Sequence, residues 1–487
     1  MTPVLSRTLA GVVIVVVAVA GRFVDFRALA GPVKGDEATY IAMAFSLAHD
    51  GDLLYDRGDY ERFVAANDQI PDGIFLKRAY DLEVDFEASW PPVRIVQTPE
   101  PATERLTYGK ALIYPLVAAP FVALGGLGGM LAFNLVLLGI CVICAVRVAQ
   151  ARAGRWPGLV FGVAFIGATV VPVYTVWLTS ELFNFTTVLV AYYLWLYKKV
   201  APAGQGSRGF WTDLVAAVLL GVATYSKLTN ALLVAPIGFD YLRQLRFRAL
   251  ALLALAFTAG TVGLFGLTAL TSGEWNYQGA AVASDRRTFH SRVPFDDTGT
   301  PFEVAGNPMV TNDADTGTVL APEALALLPT NILYFLFGRH AGLVPYYFPA
   351  CVLVALFFWR VRRAESWQWT TLLTVAASAG ALLIFAPYVW NGGGGPPGNR
   401  YFLSLYPTFI ALVPVALPAA ASVTALLGGA LFTLGIVVRP FQASLEPWTN
   451  ADWPPLRWLP VELTIVDDLP VRLHAKRGRV LFVRDPT

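Results

Sequence analysis

Two adjacent carboxylates stand in Gly35-Asp36-Glu37-Ala38-Thr39-Tyr40, just past the first long apolar run. A carboxylate at a water–lipid boundary suits a general base. It can take a proton from a hydroxyl while the other reactant stays in the membrane. The plainer account is a helix cap and a solvated acid, because exposed N–H groups at a helix start favour a carboxylate. Lys110 opens a second stretch, Tyr108-Gly109-Lys110-Ala111-Leu112-Ile113-Tyr114-Pro115. A lysine entering an apolar run either snorkels to headgroups or meets a phosphate and stabilises charge as a bond to it breaks.

Further charges sit at the edges of other apolar runs. Glu181 follows Ser180 at the start of one. An acid in a span is a functional candidate, although a helix N-terminus also accounts for it. Lys227, in Tyr225-Ser226-Lys227-Leu228-Thr229-Asn230, lies in a short turn between two runs and is a second candidate phosphate contact. Arg339 and His340 lie near the outer end of the eighth run. An arginine at that depth needs an anion or a polar cavity, and Glu181, Glu37 or a lipid phosphate are the available partners. Asn391–Arg400 is glycine-rich and ends in Arg400, either a linker or a gate that carries the arginine to a phosphate.

These residues must be positioned by a membrane frame. The 487-residue chain is 56% hydrophobic and 14% charged, with mean hydropathy +0.55. A soluble domain carries about 25% charged residues, so the composition implies an all-α polytopic membrane protein. The net charge of +2 says nothing about nucleic acid, and with no basic run interleaved with aromatics no nucleic-acid partner is expected. Cys141, Cys144 and Cys351 lie in apolar runs and read as core residues. Arg7 and Leu9–Ala20 resemble a signal peptide, but no small-residue cleavage site precedes Arg22, so an uncleaved first span is expected.

About eleven spans are expected, at 5–26, 129–149, 157–177, 182–198, 212–227, 229–242, 249–271, 331–358, 368–390, 401–418 and 420–438. Arg147/Arg152/Arg155, Lys198/Lys199/Arg208, Arg243/Arg246/Arg248 and Arg360/Arg362/Arg363 then mark the cytoplasmic side. The apolar run 112–124 breaks that alternation if counted, so 108–126 is expected to be interfacial or re-entrant. The transmembrane domain is 1–438. Its outer loops are 31–128 (with juxtamembrane helices), 272–330 and 391–400. A small outer cap, 439–487, carries a β-hairpin pattern over 461–483. Ala38–His49, with Ile41, Phe45 and Ala48 at helical spacing, is expected to be an amphipathic helix at the membrane surface. His290 with Asp285 lacks metal-ligand spacing. Asp36 and Glu37 could bind a divalent ion, but no full ligand set accompanies them.

Together, GDEATY, YGKALIYP, TSELFNFTTVLVAYYLWLY, GVATYSKLTNALLVAPIGF and GGGGPPGNRYFLSLYP, in that order over about residues 1–420, resemble the GT-C superfamily of membrane glycosyltransferases. The likeness is to its protein O-mannosyltransferase and aminoarabinose-lipid A transferase branch. It implies a GT-C fold and inverting transfer of one sugar from a polyprenyl-phosphate donor to a hydroxyl of a glycan, lipid or protein. The active site would face the periplasm of a bacterial inner membrane. It implies Asp36 as base, Glu37 as acceptor contact and Lys110 as donor-phosphate contact. Lys227, Arg339 and Arg400 are expected as further phosphate contacts, with Glu181, His340, Tyr108 and Tyr114 in support. Two departures stand out: Lys110 precedes Ala111-Leu112 where the family has paired prolines, and 50–107 is long and charged. A polyprenyl-lipid transporter or flippase, and an inactive GT-C-like lipid-binding assembly protein, are the alternatives. A transporter needs charges along a path between faces, whereas the candidates here cluster on one.

Overall fold

The computed structural model describes residues 15, 19–21, 23–33, 35–79, 82–86, 89–90, 93–97, 106–201, 209–278, 286–290, 307–308 and 321–465. The expected first span, 5–26, falls mostly outside them. The helices are α1 (Phe26–Ala30), α2 (Gly35–His49), α3 (Arg57–Asn67), α4 (Ile113–Ala153), α5 (Arg155–Gly167), α6 (Ser180–Val200), α7 (Trp211–Ser226) and α8 (Ala235–Arg243). They continue with α9 (Phe247–Ser272), α10 (Ala324–Phe337), α11 (Leu343–Tyr346), α12 (Phe348–Trp359), α13 (Ser366–Phe385), α14 (Ala419–Val438) and α15 (Pro440–Leu445). The chain is a mostly helical membrane protein. Among the described residues, α4, α9, α13 and α14 are long and apolar enough to cross a bilayer. On α9, Leu252, Leu255, Val262, Leu267 and Leu270 are exposed. Each would cost about 1.5–3 kcal/mol facing water; facing lipid they cost nothing.

Charges gather in two layers. One holds the pairs Arg152–Glu365 (2.7 Å), Lys198–Asp213 (2.6 Å) and Lys199–Asp240, with exposed Trp156, Trp211 and Trp359 nearby. The other holds Asp36, Lys110, Glu181, Lys227 and Arg400. Helix α6 runs between them for 21 residues, about 31 Å, close to the thickness of a bilayer's hydrocarbon core.

Several expected spans are broken, each at a proline or glycine. Segment 331–358 divides into α10, α11 and α12 around Gly338 and Gly342, with Pro345 and Pro349 inside the later pieces. The run 229–242 is a 3-10 turn followed by α8, whose first turn holds Pro236. In 157–177, α5 stops at Gly167 and a 3-10 turn with Pro172 follows. Segment 401–418 is turns and a 3-10 helix, Tyr406–Leu412, nearly all buried. Irregular backbone at that depth is tolerated because surrounding protein satisfies it; the Gln368 amide, for example, donates to the Ala411 carbonyl at 3.1 Å.

Helix α4 reverses direction at Gly126, whose φ 55° and ψ −137° only glycine adopts readily. The Tyr114 hydroxyl donates to Asn134 Oδ1 at 3.1 Å. Twenty residues of straight helix would separate the two by about 30 Å. The rings of Phe121 and Phe133 sit 5.1 Å apart across the same reversal. The stretch 113–125 is therefore a helical arm folded back on the long helix.

Residues of the segments 31–128 and 272–330 also form a sheet that the sequence pattern did not suggest. Strands β1 (Asp72–Arg78), β4 (Leu106–Tyr108), β5 (Arg286–His290) and β6 (Asn307–Pro308) pair antiparallel in the order β4-β1-β5-β6; β2 (Leu82–Phe86) and β3 (Val93–Gln97) form a separate hairpin. Leu76 faces Tyr108 on one side and Arg287 on the other. Buried Lys77 fastens the sheet to the end of α9, donating to Glu274 Oε2 at 2.7 Å and Ser272 Oγ at 3.1 Å. The sheet covers α2, as the Phe75 N–H donates to Thr39 Oγ1 at 2.9 Å. Residues Glu37–Ser46 are consequently buried on every side, and α2 is not the amphipathic surface helix expected. In the tail, α15 leads into 3-10 turns at Pro447–Asp452 and Pro454–Trp458. Val461–Ile465 is not strand. The rest of the expected hairpin lies outside the described residues, as does Asp285 beside His290.

Candidate active site

Asp36 occupies the first turn of α2, where the helix start favours a negative charge. Two contacts fix the helix against the start of α6. The Tyr40 hydroxyl donates to Ser180 Oγ at 3.1 Å, and the Leu178 N–H donates to Glu37 Oε1 at 2.8 Å. Glu181 lies in the first turn of α6 for the same electrostatic reason as Asp36. Lys227 directly follows the C-terminal end of α7, where a cation is favoured.

These placements bring together residues spread over 364 positions of sequence. Lys110 Nζ lies 2.5 Å from Asp36 Oδ1 and 4.2 Å from the centre of the Phe75 ring. An Arg400 Nη donates to Asp36 Oδ2 at 2.8 Å. The Arg400 Nε donates to the Gly392 carbonyl, and the guanidinium packs 5.4 Å from the Trp177 ring. Lys227 Nζ reaches Glu181 Oε1 at 3.1 Å and the Arg400 carbonyl at 3.3 Å. Three cations and two carboxylates leave the cluster one positive charge in excess. Burial alone would raise the Asp36 carboxyl, but Lys110 and Arg400 outweigh it and hold the group well below the ordinary carboxylate range. Asp36 raises the Arg400 guanidinium in turn, against the opposing effect of burial. Among the described residues, no such cation pairs with Glu37. Burial pushes it up to about 7, against the Leu178 N–H.

The other expected site residues do other work. Arg339 is not paired with Glu181, Glu37 or the ionic cluster. Its guanidinium donates to the carbonyls of Arg457 (2.8 Å) and Leu459 (3.1 Å), because the tail passes beside it and supplies the acceptors. His340 is buried, its N–H donating to Glu462 Oε1 at 2.8 Å. Burial and Arg339 push its imidazole down to about 3, so it is neutral. Tyr108 is buried edge-on to Tyr55 at the end of β4, and Tyr114 joins the arm to α4 through Asn134. Glu37 faces the turn before α6 rather than the cations. Asp36 and Glu37 turn to different partners, and among the described residues no three His, Cys, Asp or Glu side chains converge as metal ligands. The pair does not fit a divalent ion. Trp177 went unnoticed in the sequence, where an aromatic in an apolar run carries no signal. Two cavities, of about 570 and 430 Å³, lie in the opposite charge layer, around Lys198 and Asp240 and around Arg152 and Glu365. The pocket beside Lys110, about 10 Å³, is small, so charge rather than volume marks the site.

No family model and no curated protein matches the chain. Among solved structures the chain is similar to the crystal structure of ArnT from Cupriavidus metallidurans bound to undecaprenyl phosphate, at 15% identity and a TM-score of 0.48. The similarity covers 87% of this chain and 63% of ArnT. The chain thus spans less than two thirds of that protein's length, and the likeness is too distant to assign an activity.

Proposed function

We propose that the chain is a GT-C-type glycosyltransferase that moves one sugar from a polyprenyl-phosphate donor to a hydroxyl acceptor at the outer face of a membrane. The observation that carries this is Asp36 held between Lys110 and Arg400, with Lys227 alongside, in one charge layer of a helical membrane frame. The surplus of one positive charge suits the single negative charge of a sugar–phosphate–lipid diester. Phosphate oxygens compete with Asp36 for the same ammonium and guanidinium, so donor binding loosens the carboxylate and restores its basicity.

Asp36 then takes the acceptor hydroxyl's proton as its oxygen attacks the anomeric carbon. The bond from that carbon to the phosphate oxygen breaks, and the electron pair leaves with polyprenyl phosphate. The phosphate gains one negative charge while Asp36 loses one, so the site stays neutral throughout. Lys110, Arg400 and Lys227 stabilise the charge that builds on the leaving phosphate. One displacement with one base inverts the anomeric centre and needs no carboxylate nucleophile. The basic clusters, which occupy the other layer, support the outward orientation.

The test supplies purified protein with a panel of polyprenyl-phosphate hexoses and pentoses and an envelope extract as acceptor source, and measures release of polyprenyl phosphate. Turnover by the native protein that is lost in Asp36→Asn supports the proposal. Full turnover by Asp36→Asn, inserted and folded, overturns the base assignment, and no release with any donor overturns the enzyme.

A further inference from the structure

We propose that Glu462, in the C-terminal tail, is a positioning residue that sets the glycine-rich loop carrying Arg400. This deepens the phosphate-site proposal and rests on it only for its functional consequence. The Glu462 side chain is fully buried, yet it lies outside the ionic cluster. Its Oε1 accepts from the N–H groups of both His340 and Ala341 at 2.8 Å. Among the described residues, its Oε2 and the His340 Nε2 are both buried without a hydrogen-bond partner. A buried carboxylate with half its capacity unused is expensive unless it fixes something.

What it fixes is the turn 338–342. Arg339 adds a second hold on the tail, its N–H donating to the Pro460 carbonyl at 2.9 Å in addition to its side-chain contacts. The Thr464 hydroxyl binds Asn331 Oδ1 at 2.6 Å, anchoring the strap to α10. The far side of the turn faces the glycine loop: the His340 carbonyl accepts from the Gly398 N–H at 2.7 Å. Two residues later Arg400 meets Asp36. Gly398 has φ +91°, and the Tyr347 hydroxyl donates to the Asn399 carbonyl at 3.2 Å, so this end of the loop has a defined shape. Contact therefore runs without a gap from Glu462 through His340 and Gly398 to Arg400. Gly338 leaves room for it, since a Cβ there would collide with the Glu462 carboxylate as well as with the Tyr334 carbonyl.

The test uses the full chain and two readouts. Hydrogen–deuterium exchange reports the loop directly. Glu462→Ala should raise amide exchange at least tenfold in 338–342 and in 391–400, with α9 unchanged as the internal control for folding. Glu462→Gln, whose amide oxygen can still accept both N–H groups, should match the native protein. Glu462→Asp, whose shorter side chain cannot reach both N–H groups, should show the same pattern as Glu462→Ala and covers the case in which that variant does not fold. The second readout is binding of a polyprenyl phosphate in micelles. Glu462→Ala should weaken it several-fold in the native background and leave it unchanged in Arg400→Ala. Faster exchange confined to 338–342 and the tail overturns the positioning role, as does an equal loss of affinity in both backgrounds. If no donor is ever turned over but the exchange pattern holds, the strap stands and the enzyme assignment falls.

Discussion

Replacing Lys110 with methionine isolates the central ion pair. Methionine keeps the unbranched stem against Phe75 and removes only the charge. Lys110 Nζ sits 2.5 Å from Asp36, with side chains 16% and 19% exposed. Breaking a fully buried pair from one side costs about 3–5 kcal/mol. Partial exposure and the surviving Arg400 contact reduce this to about 1–3 kcal/mol. That corresponds to a loss of about 5- to 150-fold in polyprenyl-phosphate affinity if the phosphate draws on the same ammonium. The acid limb carries an independent signature. The folded Asp36 carboxyl lies below its usual 3.8, so its contribution to stability is complete above 3.8 and is lost as pH falls towards the folded value. In Lys110→Met, burial is opposed by Arg400 alone, so the folded value moves up towards 3.8 and the acid-dependent loss must become smaller. Binding isotherms and denaturation midpoints, read from about pH 7 down to about pH 3, give both quantities. Native affinity together with a native acid limb would refute the coupling of Lys110 to Asp36 and to phosphate.

Three further outcomes follow from the same geometry. Asp36→Asn removes the competing anion, so it should lower transfer by about 10²–10⁴-fold while polyprenyl-phosphate binding holds or tightens; weaker binding would contradict the competition. Glu37 is raised from 4.5 to about 7, so the native fold loses up to about 3 kcal/mol as pH rises through that window; Glu37→Gln should flatten that slope, leaving the similar contribution of Glu462, and an unchanged slope would show that Glu37 is not buried as described. Gly126→Ala forces alanine to φ 55° and should cost about 1–3 kcal/mol in a thermal unfolding scan, whereas Gly263→Ala, in open space on α9, should be neutral or stabilising by about 0.5–1 kcal/mol.

Helix-forming apolar runs such as 249–271 and 420–438 were legible because period and length speak for themselves: α9 and α14 fall within two residues of them. Runs that merge or break were not. Pro407 and Pro414 are visible in 401–418, but their effect depends on neighbours that make an irregular backbone tolerable. The sheet was illegible for another reason. Strand β1 is seven residues of mixed polarity, and its partner β5 lies about 200 positions away. At the site, Asp36, Lys110, Glu181, Lys227 and Arg400 stood out as charges at run ends, and the structure brings all five into one cluster. Arg339 looked equivalent by the same criterion. What distinguishes it is an acceptor that sequence does not reveal, the backbone carbonyls of a passing tail. Glu462 was overlooked because nothing local marks a tail glutamate as buried.

The buried Lys77–Glu274 pair joins positions 197 residues apart, with consequences for biogenesis. At about 5–20 residues per second of synthesis, roughly 10–40 seconds pass between the appearance of the lysine and of its counter-ion. Until then the sheet has no clasp, and α2 lacks a settled lid. Arg400 arrives later still, and the strap after it. Nascent chains therefore carry Asp36 through most of translation before the ionic cluster can assemble, so early release from the ribosome would yield an inserted bundle without it.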